Sequence, residues 1–478
     1  MDVKAPGLPW FAAIFTYLGD STGRMEASLL LAIVLIQFLT LITIDSILEA
    51  LKQKTSTRIL SILFLAGSSH FIGLSHEFFV EPLQALAVAL FFLLALKTHR
   101  LHFIDGLLSL LLLIAFAMIS KATSPIYCAF PGIVILWELY QKFEFRLPNR
   151  WLTLRRGIIL LCGSLFFGFT CAWYWTNRLS LLEFMRNASD GHIAEMYGKK
   201  LSFLPKFAYW VHQTQIAYLP VSVAVALAPA LAKLRVRKIM KVRLREFSLQ
   251  DAVVAVAFCQ IIVCLALFGT QINEETRYLF PLSACFTMVF ARIVDRFSRI
   301  GVAIAVAGLL ITMTANQMQA FGVVERSGSR SNWLNPVHPS SSQRDVIMRV
   351  VVRTCLPEAN DKITYVAIDT IDYNANSMAF LKQISPQLRD INCRYSSLGW
   401  AETDPDAAKT RLLQSNAIFY VAPEVIRSDD IDKFNVVATS IFQFIKTSQF
   451  YRFEPALVAR GSLIYRHVIP DSTPFNGK

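Results

Sequence analysis

Residues 251–296, DAVVAVAFCQIIVCLALFGTQINEETRYLFPLSACFTMVFARIVDR, decide the class of this protein. Two apolar runs, 250–269 and 278–295, flank a short loop holding Glu274, Glu275 and Arg277. Each run is about the 18 residues or more that a helix needs to cross a bilayer. Neither has a charge at its midpoint; Asp251 and Arg292 stand at the far ends. Ionisable groups inside a membrane mark ion pathways, so their confinement to run ends argues against an ion-coupled transporter.

The same pattern extends outward from this pair. Further apolar runs occur at roughly 27–48, 59–75, 82–97, 105–121, 125–141, 156–176, 215–232 and 300–319, which gives ten candidate spans. Composition agrees: 54% of residues are hydrophobic, 17% are charged and the mean hydropathy is +0.45. A soluble chain carries about 25% charged residues. The net charge of +13 does not mark a nucleic-acid binder, because the basic residues lie in short loops between apolar runs, where they act as a topology signal. Lys and Arg concentrate in loops 51–58, 97–100, 142–156, 233–245 and 292–299, while the alternate short loops hold only Lys121 and Arg277. The positive-inside rule places the first set in the cytoplasm. It places 75–81, 120–124, 177–214 and 270–277 outside, together with the N-terminus and the C-terminal 150 or so residues. An outside N-terminus is explained most simply by one further span upstream of Met1, the alternative being a short N-tail that crosses unaided.

The tail changes character after the Ser-, Pro- and Gly-rich stretch RSGSRSNWLNPVHPSSSQRD, residues 326–345, which reads as a linker. ITYVAID (363–369), NCRYSSL (392–398) and AIFYVAP (417–423) read as buried strands. Residues 375–384, 405–414 and 433–447 carry helical spacing, and FEPALVARGSLIYRHV (453–468) reads as a hairpin around Arg460-Gly461. Alternating strands and helices imply a small α/β layer with a mainly parallel sheet. The fold expected is an α-helical polytopic membrane protein with a C-terminal exported α/β domain. Its parts are an outer juxtamembrane segment 1–26, a transmembrane domain 27–322, a linker 323–345 and the exported domain 346–478. The tail lacks a glycine-rich phosphate loop and reads as a docking or lid module. Cys355 and Cys393 lie in this oxidising outside region, but spacing alone fixes no geometry, so their pairing stays open.

Chemistry-bearing residues gather in the outward segments. They are Asp2 and Lys4, then His76, Glu77 and Glu81, then Lys121, the charged loop 177–214, and finally Glu274, Glu275, Arg277 and Tyr278. Lys4, Glu81 and Arg277 are each bracketed by proline or aromatic residues. Phe203, Phe207, Tyr209 and Trp210 suit a helix lying in the interface. Cations beside an apolar groove can hold a phosphate, and a carboxylate can act as base on an acceptor hydroxyl. No clustered metal-ligand spacing is present, so no divalent metal and no cofactor are indicated.

Four stretches resemble segments of the GT-C glycosyltransferases that use polyprenyl-phosphate sugars, the group of the lipid A aminoarabinose transferase, the protein O-mannosyltransferases and the rhizobial galacturonosyltransferases. KAPGLPWFAAIFTYLGDSTGRMEA (4–27) resembles their lysine–proline–tryptophan segment, and HEFFVEPLQALAVALFFLLALKTHR (76–100) their acid–proline loop. KATSPIYCAFPGIVIL (121–136) resembles their lysine-to-proline span, and EETRYLFPLSACF (274–286) their Arg-Tyr–proline stretch without its second proline. The resemblance covers residues 1 to about 320. It implies a GT-C fold and an inverting transfer from a polyprenyl-phosphate sugar to a lipid, glycan or protein acceptor. It implies Lys4 on the donor phosphate, Glu81 as an acidic catalytic residue, and Arg277 on phosphate or acceptor. His76, Glu77, Lys121 and Tyr278 complete the substrate-binding set. The family's principal catalytic Asp lies tens of residues before its lysine. Here three residues precede Lys4, and Asp2 has that chemistry without that spacing, which implies an N-terminally shortened chain. The location implied is the bacterial inner membrane, amid membrane lipids, with the tail on the periplasmic side. The competing readings are a non-enzymatic lipid or glycan transporter and an inactive paralogue with an exported docking domain.

Overall fold

The computed structural model describes residues 6–75, 78–142, 154–218, 248–295, 299–320, 341–355, 362–370, 373–398, 402–415, 417–421, 435–453 and 462–467. The chain divides into two compact units, 1–337 and 338–478.

The first unit is helical: α1 (Gly7–Thr22), α2 (Met25–Ala50), α3 (Thr55–Ala66), α4 (Ser69–Leu74), α5 (Glu81–Lys97), α6 (Phe103–Ser120), α7 (Ser124–Gln141), α8 (Leu154–Ser189), α9 (His192–Tyr197), α10 (Phe203–Tyr218), α11 (Leu249–Gly269), α12 (Ser283–Val294) and α13 (Arg299–Ala320). A 3-10 helix, Thr276–Leu282, leads into α12. Six of the described helical stretches are long and apolar enough to cross a membrane: Met25–Ala50, Glu81–Arg100, Phe103–Ser120, Leu249–Gly269, Thr276–Val294 and Gly301–Ala320. The expected span 125–141 is α7 and the expected span 156–176 opens α8. The expected span 215–232 falls mostly outside the described residues.

Helix α5 is the axis of this unit, with 78% of its span buried, more than any other. It packs on α2, α6, α7 and the 3-10 turn. Helix α1 reaches the bundle through Gly7, where an added Cβ would stand 2.5 Å from the Ile119 side chain.

Two expectations need correction. The run 59–75 is two helices, broken at Gly67-Ser68. Ser68 caps α4 by accepting from the Phe71 N–H at 3.3 Å. The broken turn frees carbonyls that apolar surroundings cannot satisfy, so neighbouring helices supply donors. Asn316 of α13 donates to the Gly67 carbonyl at 2.8 Å, and Gln37 of α2 to the Phe71 carbonyl at 3.1 Å. The outward loop 177–214, for its part, is largely helix. No glycine or proline interrupts residues 169–190, so α8 runs for 36 residues to Ser189, and α10 follows at Phe203.

The ion pairs sort by the loops that the charge pattern assigned to each side. Arg58–Asp45 (2.5 Å), Lys54–Asp295 (3.2 Å) and Arg292–Asp251 join residues of the expected inner set. Glu81–Lys121, Lys206–Glu274 and Arg277–Glu275 join residues of the opposite set. Lys142 ties two inner loops by donating to the carbonyls of Thr98 (2.6 Å) and Leu101 (2.9 Å).

The second unit holds α14 (Ser341–Thr354), α15 (Ala375–Ile384), α16 (Pro405–Leu412) and α17 (Ala438–Thr447) around a five-stranded sheet. Its strands are β1 (Ile363–Val366), β2 (Arg394–Ser397), β3 (Ala417–Val421), β4 (Tyr451–Phe453) and β5 (Ser462–His467), in the order β2-β1-β3-β5-β4. β1 runs parallel to β2 and β3, with Thr364 opposite Tyr395 and Ala417. β5 is antiparallel to β3 and β4, with Phe419 opposite Ile464. The sheet is therefore parallel on one side and closed by an antiparallel pair on the other. Helix α14 begins inside the stretch expected as linker. Cys355, at its end, is disulfide-bonded to Cys393 with the Cα atoms 5.5 Å apart, which settles the pairing.

One buried latch braces a proline-containing span. Pro131 lies inside α7, where it removes a backbone donor. Gln260 of α11 reaches across at this point. Its amide donates to the Ile126 carbonyl at 2.9 Å and accepts from the Phe130 N–H at 3.4 Å. Gln260→Met keeps the side-chain length and removes both bonds, and is expected to cost about 1–2 kcal/mol. A lower Tm in detergent is the measurement that checks this.

Candidate functional site

Glu81 opens α5, with Pro82 behind it. A carboxylate in a helix's first turn faces the positive end of the helix dipole, and proline suits the first turn because its absent N–H is not missed there. The side chain is 1% exposed. Lys121, which follows α6, donates to Glu81 Oε1 at 2.6 Å. Arg277 of the 3-10 helix brings Nε to 3.5 Å from the same oxygen. Burying an ionised carboxylate is costly unless it is paired, and two cations on one oxygen provide the pairing. Among the described residues, Glu81 Oε2 and Arg277 Nε have no hydrogen-bond partner.

Arg277 also binds a second carboxylate. Its Nη2 donates to Glu275 Oε2 at 2.7 Å, and the Tyr278 hydroxyl donates to that oxygen at 3.0 Å. The Asn273 amide approaches the Tyr278 hydroxyl at 3.4 Å, and its carbonyl accepts from the Glu275 N–H at 2.8 Å. Aromatic faces frame the cations: Lys121 Nζ lies 4.7 Å from the Tyr278 ring centre, and the Arg277 guanidinium lies 4.8 Å from that of Phe79. Such contacts stabilise a cation without neutralising it. The cluster thus balances Glu81 and Glu275 against Lys121 and Arg277. Gln84, one turn along α5, donates to Thr123 Oγ1 at 3.2 Å and leaves its own buried carbonyl oxygen unpartnered.

The structure therefore brings together Glu81, Lys121, Arg277 and Tyr278 from the sequence-derived set. Asp2, Lys4, His76 and Glu77 lie outside the described residues. Glu275, counted in the sequence among the outward chemistry-bearing residues but not in the substrate-binding set, joins this cluster through Arg277 and Tyr278.

A second, smaller cluster fixes the loop that carries Asn273 to Glu275. Lys206 of α10 is 1% exposed, yet its ammonium has three acceptors: the carbonyls of Lys199 (2.9 Å) and Ile272 (2.6 Å), and Glu274 Oε1 (2.7 Å). The Tyr209 hydroxyl donates to the Glu274 carbonyl at 3.1 Å, and the Ile272 N–H to the Ser189 carbonyl at 3.0 Å. Gly198 permits this closeness, because an added Cβ would stand 1.9 Å from the Ile272 oxygen. Lys206 looked like one loop cation among many; nothing in its local sequence announces three buried acceptors.

The second unit offers one perturbed group. Asp369 follows β1, and burial pushes its carboxyl up to about 6, opposed by hydrogen bonds from Ser397 and the Ala375 N–H. Asn435 holds this strand end, accepting from the Asp369 N–H at 2.9 Å and donating to its carbonyl at 3.0 Å.

The fold is a polytopic helical membrane unit followed in the chain by a small α/β unit. Among solved structures, the chain is similar to ArnT from Cupriavidus metallidurans in the apo state, with a TM-score of 0.57 and 12% identity over 97% of this chain and 88% of that one. It is similar also to the same protein bound to undecaprenyl phosphate, with a TM-score of 0.55 and 11% identity over 98% and 89% of the two chains. At this identity the likeness carries the fold. No protein-family model and no curated protein sequence matches the chain.

Lys206→Met removes a buried charge pair and the donor to two carbonyls, and is expected to destabilise the membrane unit by about 2–4 kcal/mol. Thermal unfolding in detergent measures this. Glu274→Gln, which keeps an acceptor for Lys206, is expected to lower Tm by less.

Proposed function

We propose that this chain is an integral membrane glycosyltransferase that moves a sugar from a polyprenyl-phosphate donor to a lipid, glycan or protein acceptor. The reaction lies on the non-cytoplasmic face of a bacterial inner membrane, and the α/β unit lies on that side too. The observation that carries the reading is the buried Glu81 carboxylate, held by Lys121 and Arg277 at the end of the bundle that the charge pattern faces outward. The GT-C fold supports it, as does the undecaprenyl phosphate bound by one of the similar structures.

The residues divide the work. Lys121 and Arg277 supply the cations that a leaving lipid phosphate requires, since its developing charge is stabilised best by preorganised donors away from bulk water. A carboxylate tied to two cations is a weak base. When the donor phosphate takes Lys121 and Arg277, Glu81 is released to accept the proton of the acceptor hydroxyl. That hydroxyl attacks the anomeric carbon, and the polyprenyl phosphate departs from the opposite face with inversion. Glu275 and Tyr278 hold Arg277 on its other side. Lys4 is proposed as a further phosphate ligand, Asp2 as a further acid, and His76 and Glu77 as substrate contacts. The exported unit is proposed to dock the acceptor. No cofactor is required by this scheme.

Transfer of labelled sugar from polyprenyl-phosphate donors, assayed with the full chain in membranes, tests the reading. Glu81→Gln, Lys121→Ala and Arg277→Ala are each expected to lower transfer by about 100-fold or more. Wild-type rates in all three variants would remove these residues from the reaction. An inert wild-type chain would favour the transporter or inactive-paralogue reading.

A further inference from the structure

The short segment that carries Arg277 and Tyr278 is held from behind by three buried side chains, one from each of three helices. His70 of α4 has Nε2 at 2.9 Å from the Thr276 carbonyl. Tyr127 of α7 donates its hydroxyl to the Tyr278 carbonyl at 2.9 Å. Tyr218 of α10 donates to the Leu279 carbonyl at 3.1 Å and lies 3.2 Å from Ser283 Oγ. All three side chains are at most 3% exposed. A carbonyl only accepts, so His70 carries its proton on Nε2; its Nδ1 has no partner among the described residues.

The segment needs such help for a local reason. Residues 276–282 form a 3-10 helix with Pro281 inside it. In that geometry each N–H donates to the carbonyl three residues back, and Pro281 has no N–H to give. The carbonyl deprived is that of Tyr278, the one Tyr127 serves. His70 and Tyr218 then grip the carbonyls on either side of the Arg277–Tyr278 pair. Each of the three donates to this backbone, while Arg277 and Tyr278 both donate to Glu275 and Arg277 also pairs with Glu81 by charge. A 3-10 turn is poorly held by its own bonds, so one donor alone would leave it free to pivot. Three donors from separate helices fix its position and its direction.

We propose that His70, Tyr127 and Tyr218 are positioning residues that form a buried three-point clamp on the 276–279 backbone and so hold Arg277 and Tyr278 in register with Glu81 and the substrate phosphate. The substrate part of this statement rests on the glycosyltransferase reading; the clamp itself does not.

The test uses the full chain in lipid nanodiscs, with two readouts. Tyr127→Phe and Tyr218→Phe remove only the hydroxyls. Amide exchange across 276–282 is expected to rise roughly three- to ten-fold for each lost bond, with exchange across α2 unchanged as the control for folding. In the transfer assay, kcat is expected to fall by a similar factor while the donor KM stays within about two-fold, because a mis-aimed Arg277 loses alignment in the transition state more than ground-state binding. His70→Gln, which keeps an N–H near the Nε2 position, is expected to retain both readouts, and His70→Leu to lose both. Unchanged exchange at 276–282 in the Tyr127→Phe/Tyr218→Phe double variant overturns the clamp. Raised exchange with an unchanged kcat overturns the positioning role. A wild-type chain with no transfer counts against the glycosyltransferase reading, and the exchange readout then decides the clamp alone.

Discussion

A single buried carboxylate organises one end of the membrane unit. Glu81 is 1% exposed at the start of the most buried of the described candidate spans, where an unpaired charge would cost several kcal/mol. Its stability depends on Lys121 reaching it at 2.6 Å and on Arg277 approaching at 3.5 Å. Three separate chain segments must therefore meet there: the start of α5, the α6–α7 connection and the 3-10 turn. Each segment is short and faces apolar neighbours, so the charge pairing sets their register. In the proposed reaction, a lipid phosphate exchanges for Glu81 at these two cations.

Around this centre, polar side chains repair backbone that the membrane unit cannot leave unpaired. Gln37 and Asn316 serve the carbonyls freed by the α3–α4 break, and Gln260 bridges the turn ahead of Pro131. Lys206 gathers three acceptors beneath the 272–275 loop. In a medium without water each repair must come from within the protein. The irregular backbone lies where α4, the 272–275 loop and the 3-10 turn approach the Glu81 cluster. The irregularity is concentrated at this end of the bundle, while α2, α11 and α13 remain unbroken.

Much of this was legible in the sequence, and the limits are physical. Apolar run length and loop charge read out the spans and their two ends, because the bilayer imposes both on composition. Alternation of strands and helices read out the tail and the parallel part of its sheet, though not the strand order. Glu81, Lys121, Arg277 and Tyr278 were legible as ionisable or aromatic residues where spans end on one side. The break at Gly67-Ser68 was not, because an apolar run with one Gly-Ser step has the hydropathy of an intact span. Nor was the continuation of α8 to Ser189, whose charged residues look like loop when counted by hydropathy alone. His70, Tyr127, Tyr218 and Lys206 act on partners between 61 and 206 residues away, apart from the Lys206–Lys199 contact. No local pattern encodes contacts of that range.

The central claim is that a lipid phosphate takes over the cations that hold Glu81. An experimental structure of the full chain with bound undecaprenyl phosphate tests it most directly. The account predicts phosphate density within hydrogen-bond reach of both Lys121 and Arg277, with Glu81 Oε1 no longer paired to Lys121. Phosphate bound elsewhere, with the Glu81–Lys121–Arg277 contacts intact, would contradict it.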